Sequence, residues 1–503
     1  MKDAYILGID VGTTGTKTLL FSSGGEILAH AYRGYPLSAP QIGYSEQNAE
    51  DWWQAVCETV REVCADGDCG QNVAAISLST QGGTMVPVAA DGKPLRPAIV
   101  WSDTRCRREH DAYLRECGAA QSVYEKTGWE LLYCYLLLTI RYLRTQEPEI
   151  YAQTAKFLSV PDYISLKMTG TAAIDLSNAG INQLTDIRRA VYDEDLRRFA
   201  GVREEQLPKI VRSGDVIGHL SEAAAKELGL SADCLLVAGA HDQYAVALGA
   251  GALQAGDILI GSGTCWVVTA MNSEPDFASG LAQSVAAVPG MWGSLWSLST
   301  GGVCLDWLRK NVACAEDRAV IDYETINREA EKRKAAEDGL FFVPFSGLYG
   351  MGKTTGKATF AGLDLSHDRF HMARAVMEGV VFQIVWMLEK FRTKPSENGI
   401  ILAGGASKSR FWSQLLADIS GLPVRIPAVA DLACVGAAIM AGTGCGLFAG
   451  MEEGYRKMAV REQVIYPDKQ RTAIYKPLLE TYKNQTAALA TVYEQKNLLE
   501  EHI

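Results

Sequence analysis

The sequence predicts a two-domain α/β protein with a cleft between two similar halves, and three observations carry that reading. The first is a strand–turn–strand unit at the start. The apolar run Tyr5-Ile6-Leu7-Gly8-Ile9 leads into a Gly/Thr turn, and the apolar run Thr18-Leu19-Leu20-Phe21 closes at Ser22-Ser23-Gly24-Gly25. The second is an echo of that unit some 250 positions on, GDILIGSGTCWVVT at 256–269. The third is a pair of buried-type strands that each deliver a polar, glycine-containing loop. Leu235–Ala240 runs into His241-Asp242-Gln243, and Ile400–Ala403 runs into Gly404-Gly405-Ala406-Ser407. A chain of 503 residues is also long for a single core.

The opening turn, GIDVGTTGTK at 8–17, suggests what the repeated unit does. Small residues at Gly12, Thr13, Thr14 and Gly15 expose backbone N–H groups, and such concave clusters bind anions. Asp10 is the odd member, and an acid beside a phosphate cradle makes sense when a cation lies between them. The alternative is a plain glycine hairpin in which Asp10 bonds its own turn.

Further along, apolar residues from Phe370 to Leu388 recur at three- and four-residue steps, a helix for which Ser366 is the expected N-cap. Residues 469–500 read as a polar surface helix. No low-complexity linker separates the halves, so the boundary is placed near Ala250-Gly251-Ala252, dividing the chain into 1–250, 251–450 and a helical tail at 451–503. The stretch from Gly347 to Thr354 fits the Walker pattern to the letter, but no helical period follows Lys353. It is read as a basic loop, with Lys353 and Lys357 only weakly tied to a nucleotide.

Composition narrows the function. Net charge is −11, from 48 Lys+Arg against 59 Asp+Glu, which argues against nucleic acid or an anionic membrane as partner. An anionic ligand must then be held by local amides or by a metal. The longest near-continuous apolar stretch, 131–140, is too short to span a bilayer, and no basic-then-apolar leader is read at the start. Twelve cysteines without a single CxxC pair indicate reduced thiols in a cytoplasmic protein rather than a zinc site.

Several blocks, in order, resemble the FGGY family of carbohydrate kinases: GIDVGTTGTK, GYSEQNAEDWW (43–53), LRPAIVWSDTR (95–105), DYISLKMTG (162–170), LAGGASKSRFWSQLLADISGLPV (402–424) and DLACVGAAIMAGTGCG (431–446). The resemblance is nearest to xylulokinase-like members. It implies the actin-like, ribonuclease H-like ATPase fold, a sugar-binding N-terminal domain, a nucleotide-binding C-terminal domain, and ATP with Mg²⁺. The implied partners are a small sugar or polyol and ATP, with a homodimer as a candidate assembly. By resemblance Asp242 is the catalytic base, although an Asp there could equally cap the following helix. Asp10 would hold Mg²⁺. Gly12, Thr13, Thr14, Lys17, Gly263 and Thr264 would grip phosphates, and Gly404, Gly405 and Ser409 would line the nucleoside.

Gln81, Trp101, Asp103 and Gln243 are the sugar-contact candidates, though a tryptophan at a strand end is more often core. Xylulokinases carry a Met-His pair where this chain has Gly82-Gly83, so a roomier pocket, less tailored to D-xylulose, is expected. The leading function is ATP-dependent phosphorylation of a ketose such as xylulose or a related pentulose. The alternatives are a polyol kinase of glycerol or erythritol type, and a non-catalytic actin-like ATPase or sugar sensor.

Overall fold

The computed structural model describes residues 4–118, 120–312, 320–345, 357–429, 431–458 and 461–500. By contacts the chain divides into two compact units, and the division interleaves the sequence. The first holds residues 1–253, 273–293 and 431–460; the second holds 254–272, 294–430 and 461–503. The sequence suggests contiguous boundaries instead. The difference arises because residues 431–460 fold back onto the first unit's sheet, while 461–503 joins the second. The loop from Gly347 to Thr354 lies outside the described residues.

In the first unit six strands form one sheet: β1 (Tyr5–Val11), β2 (Gly15–Ser22), β3 (Ile27–Gly34), β4 (Val73–Thr80), β5 (Val216–His219) and β6 (Leu235–His241). Their order is β5-β6-β4-β1-β2-β3, with β1, β4 and β6 parallel and β1, β2 and β3 antiparallel. Ile6, Leu7 and Ile9 on β1 are all fully buried, so both faces of the strand are covered. The helix Ala49–Val63 packs on β2 and β3, N-capped by Asn48 and burying Trp52 and Trp53. The helix Leu432–Gly444 packs on β1, β4 and β6 and crosses the helix Asp242–Gly249.

That crossing is made by glycines. A Cβ on Gly436 would sit 1.9 Å from the Ala245 carbonyl oxygen, one on Gly249 2.0 Å from that of Leu432, and one on Gly8 2.0 Å from that of Cys434. Backbone therefore rests on backbone at all three points, and the start of the Asp242 helix is fixed against the sheet.

The second unit repeats the arrangement. Its strands β7 (Ile258–Ser262), β8 (Trp266–Asn272), β9 (Trp292–Leu298), β10 (Ile400–Gly404), β11 (Val424–Pro427) and β12 (Glu462–Ile465) run β9-β8-β7-β10-β11-β12. The first two form an antiparallel hairpin, and β10 lies parallel to β7. The echo in the sequence is thus an echo in topology: a hairpin, a third strand beside it, then a parallel strand on the far side of the first.

Two sequence expectations change here. The helix Arg369–Leu388 is capped by Asp368, not Ser366, because the Asp368 carboxylate accepts from the Phe370 and His371 amides while Ser366 bonds Asp364. The C-terminal helix Lys469–Glu500 keeps most of its described side chains exposed, but it is docked along one face rather than polar all round. Tyr475 and Tyr482 are buried, and their hydroxyls donate to Glu378 (2.7 Å) and Gln383 (3.0 Å) of the long helix. Polar groups that look solvated in the sequence are paired with polar groups inside the core.

The glycine crossing gives a direct test. Gly436→Ala forces its Cβ into the Ala245 carbonyl and should destabilise the protein by about 1–3 kcal/mol, read as a lowered urea midpoint. An unchanged midpoint would show that the helices do not approach this closely.

Candidate functional site

In the first unit the parallel register brings three strand ends level. Val11 pairs with Thr80, and Thr80 with His241. Asp10, Gln81 and Asp242 therefore emerge along one sheet edge, the carboxyl end where open α/β sheets bind ligands. Strand β6 reaches this level through a bulge: Val237 pairs with Ser77 but Ala240 with Ser79, so β6 spends three residues against two. Gly239 fills the extra position, where a Cβ would lie 1.6 Å from the Leu78 carbonyl oxygen.

Asp10 pairs across the sheet with Ser79 on one side and Lys17 on the other, and the Ser79 hydroxyl donates to Oδ1 at 2.7 Å. Burial pushes its carboxyl up to about 6; the Ser79 bond and the Lys17 charge oppose this, while Asp242 and Asp431 add to it. Three carboxylates, Asp10, Asp242 and Asp431, thus share a region with Lys17. That excess of negative charge fits a divalent cation.

The Asp242 carboxylate does no capping. It is the first residue of its helix, whose N-cap position is His241, and no side-chain cap bond is formed there. Its Oδ1 instead accepts from the Gln243 amide at 3.2 Å and lies 3.1 Å from His241 Nε2. About a third of the side chain is exposed (34%), which leaves the carboxylate accessible to a substrate.

Other expected residues fall into a polar chain beside Asp10. Trp101 is 47% exposed rather than core, and its indole N–H donates to Thr13 Oγ1 at 2.9 Å. The Thr13 hydroxyl donates to Gln81 Oε1 at 3.0 Å, and Gln81 Nε2 donates to Gln47 Oε1 at 3.1 Å. Gln47 in turn donates to the Thr13 carbonyl at 2.6 Å and accepts from Trp52. The phosphate-type turn is thereby tied to the tryptophan loop. Gln81 is buried, with its amide committed to this chain, so Trp101 is the member left open to a ligand. Gly12 closes the turn by donating to the Gly15 carbonyl at 3.1 Å, and Thr14 is exposed at its tip.

Three expectations need correction. Asp103 is fully buried with both oxygens filled. Oδ1 accepts from the Arg105 amide, and Oδ2 accepts from the Ser45 amide (2.6 Å) and Arg105 Nη2 (2.7 Å). It anchors the loop that carries Trp101 and has nothing left for a sugar. Lys17 is not simply solvated: it pairs with Asp431 at 2.8 Å, which ties β2 to the returning segment, while its side chain stays 44% exposed.

The third concerns Gly82-Gly83, whose vacated space is occupied. A Cβ on Gly82 would lie 2.7 Å from Ile181 Cδ1 and 2.9 Å from His241 Cδ2; one on Gly83, at φ +70°, would lie 2.5 Å from the Tyr135 ring. Side chains from distant segments thus stand where a larger residue at 82 or 83 would reach, so the glycines do not leave open space at their own Cβ positions.

In the second unit Ser262 joins two exposed glycine turns. Its carbonyl accepts from the Gly405 amide at 2.7 Å, and its hydroxyl donates to the Ala403 carbonyl and accepts from the Ala406 amide. Gly404 sits at φ +96°, and a Cβ there would lie 2.9 Å from the Ser262 backbone, so no other residue fits without strain. The Gly263 and Thr264 carbonyls accept from the Gly302 and Val303 amides, so the turn rests on the first turn of the helix Gly302–Asn311. Ser409 is the N-cap of the helix Arg410–Ser420, its Oγ accepting from the Trp412 amide at 3.1 Å. In that cap the hydroxyl only accepts, so its proton remains available to a further partner.

Family models decide what this arrangement belongs to. The N-terminal domain of the FGGY family of carbohydrate kinases matches residues 5–249, and its C-terminal domain matches 257–445. The chain belongs to the FGGY family of carbohydrate kinases. It is a sugar kinase that uses ATP as phosphoryl donor. Across 490 residues it is 30% identical to the xylulose kinase of Bacillus subtilis (strain 168), covering 95% of this chain and 96% of that one. It is 29% identical to the gluconokinase of the same organism over 459 residues, 89% and 88% of the two chains. Among solved structures, ligand-bound xylulose kinase from Lactobacillus acidophilus superposes with a TM-score of 0.89 at 26% identity, covering 98% of this chain and 99% of that one. Among the described residues no helix is long and apolar enough to cross a membrane.

Residues that the sequence reading passes over are Gln47, Ser79, His241 and Ser262. Gln47 and His241 lie inside blocks singled out above, but their partners are distant in the chain. The Asp10 environment yields a pH test. Its carboxyl titrates higher folded, at about 6, than unfolded, at 3.8. The unfolded state therefore loses its proton first, and stability from this group falls as pH rises through that window. In metal-free buffer Asp10→Asn should match the wild type at pH 4 and exceed it at pH 8 by about 1–3 kcal/mol in urea unfolding. Equal midpoints at pH 8 would mean the carboxylate is not held in a desolvated place.

Proposed function

We propose that this kinase transfers the γ-phosphoryl group of Mg·ATP to a hydroxyl of an uncharged ketose, a pentulose such as xylulose, in the cytoplasm, with Asp242 as base. The observation that carries the reading is the Asp242 carboxylate: accessible, free of any capping duty, and presented at the sheet edge beside Gln243. It accepts the proton of the sugar hydroxyl late in a loose transfer, so most of the rate comes from placement and charge neutralisation. Asp10 would hold Mg²⁺, which when bound offsets phosphate charge. Thr13 and Thr14 in the first unit, and Gly263 and Thr264 in the second, offer turns suited to phosphate. Gly404 and Gly405 provide side-chain-free backbone for the nucleoside.

The neutral sugar is favoured over a sugar acid by the state of the neighbouring cations. Lys17 is paired with Asp431, and Arg105 with Asp103 and Glu46. A gluconate carboxylate would enter beside Asp10 and Asp242 with neither cation free to meet it. A stacking face from Trp101 and amide groups from Gln243 suit a polyhydroxy chain instead.

Asp242→Asn should lower kcat by about 10²–10⁴ while KM for ATP stays near that of the wild type. Turnover at the wild-type rate would remove Asp242 as base. A panel of D-xylulose, D-ribulose, L-ribulose, glycerol, erythritol and gluconate should place a ketopentose first in kcat/KM, at least about tenfold above gluconate. Gluconate in first place would overturn the neutral-sugar reading.

A further inference from the structure

The outer edge of β6 runs out of partners before the strand ends. Strand β5 pairs with it only as far as Val237. Ala238 then bonds the chain ahead of β5, its amide donating to the Asp215 carbonyl and its carbonyl accepting from the Gly214 amide, each at 2.8 Å. Past that point no strand of the sheet lies on this side of β6. His241, the last residue of the strand, still has a main-chain N–H to place, and an orphaned buried donor is costly. It donates to Ser177 Oγ at 2.8 Å. A serine hydroxyl thus stands where a neighbouring strand would supply a carbonyl.

Ser177 is itself held in place for this bond. It lies in the first turn of the helix Leu176–Ile181, 1% exposed, and Asp175 caps that helix. Asp175 Oδ1 accepts from the Ser177 and Asn178 amides at 2.9 and 3.1 Å, and Oδ2 accepts from Asn178 Nδ2 at 2.7 Å. The Ser177 hydroxyl donates its single proton to the same Oδ1. With that proton committed, Oγ meets the His241 amide as an acceptor. Asp175 is fixed in turn by strand pairing, in register with Val211. A continuous path of hydrogen bonds therefore runs from a strand, through a capped helix, to the residue before Asp242.

His241 also occupies the N-cap position of the Asp242 helix, and its side chain makes no cap bond there. The far end of that helix rests on Leu432 through Gly249. Its near end is the point where strand becomes helix, held by the pairing of His241 with Thr80 on one side and by Ser177 on the other. We propose that Ser177 is a positioning residue for Asp242: by holding the His241 N–H it sets where the chain leaves the sheet, and so where the carboxylate stands. The proposal rests on Asp242 being the base. A shift of about 1 Å at this turn would carry the carboxylate with it, and misplacement on that scale lowers a rate by about a hundredfold.

Ser177→Ala in the full-length enzyme removes the acceptor and little volume. kcat should fall by about ten- to a hundredfold, with KM for ATP near that of the wild type. Selective isotope labelling of the seven histidines reports the bond directly by NMR. The His241 amide should exchange with solvent deuterium at least about tenfold faster in the variant. Ser177→Cys keeps the volume but offers only a weak acceptor. It should lose a smaller share of kcat, and it carries the test if the Ala variant does not fold. Ser221→Ala is the control for stability alone. The Ser221 hydroxyl accepts from the Ala224 amide at 3.2 Å at the start of the helix Glu222–Leu228, in the same unit. Its loss should lower the urea midpoint and leave kcat unchanged. The proposal is overturned if the Ser177 variants turn over at the wild-type rate, or if Ser221→Ala loses as much kcat for an equal fall in midpoint. It is overturned too if kcat falls in Ser177→Ala while the His241 amide stays as protected as before. Asp242→Asn, run alongside, separates the two levels. Full activity there removes the base and the positioning role together, whereas an inactive Asp242→Asn with an unimpaired Ser177→Ala removes only the latter.

Discussion

Asp242 stands where it does because β6 carries one residue more than its neighbour. Without the bulge at Gly239, Ala240 would face Thr80, and His241 with Asp242 would leave the sheet one step later, with the alternation of faces reversed. The extra residue draws both back to the level of Val11 and Thr80, where Asp10 and Gln81 emerge. The bulge is possible because Gly239 passes within van der Waals range of the Leu78 backbone. A single missing side chain thus decides which carboxylates can share a ligand.

The rest of the first unit works to keep that edge from collapsing onto its own charges. The loop of Trp101 is held from beneath by the buried Asp103–Arg105–Glu46 cluster, with the Arg105 guanidinium stacked 4.0 Å over Tyr44. Lys17 is drawn aside by Asp431. Both cations are thereby committed to carboxylates other than Asp10 and Asp242. The charge left on those two is what the proposed Mg²⁺ role of Asp10 would offset.

Local features of the sequence were legible because their causes are local. The two Gly/Thr hairpins, the strands feeding Asp242 and Gly404, and the family blocks are each written in a few consecutive residues. What the sequence hid was partnership. Asp103 resembles a sugar ligand until the Ser45 amide and Arg105 fill its oxygens. Gly82 and Gly83 read as empty space because their occupants, Ile181, His241 and Tyr135, arrive from distant segments. Tyr475 and Tyr482 pass for surface residues because Glu378 and Gln383 lie almost a hundred positions upstream. Periodicity reports which face is polar, but it cannot report which polar groups will find one another in the interior.

The interleaving of the two units has a consequence for how the protein is made. The helix Leu432–Gly444 covers β1, β4 and β6, strands whose last member ends at His241. On a ribosome the first sheet is complete in sequence long before its cover is translated, and the whole central part of the second unit emerges in between. For that interval apolar residues such as Ile6, which lies against Gly442, lack their native covering helix, and the helix that Asp242 opens has no Gly436 to brace against. The nascent chain must shelter this surface until the helix Leu432–Gly444 appears. Assembly of the candidate site therefore waits for this helix, so a product terminated before it would carry Asp10, Gln81, Trp101 and Asp242 without the helix that covers their strands.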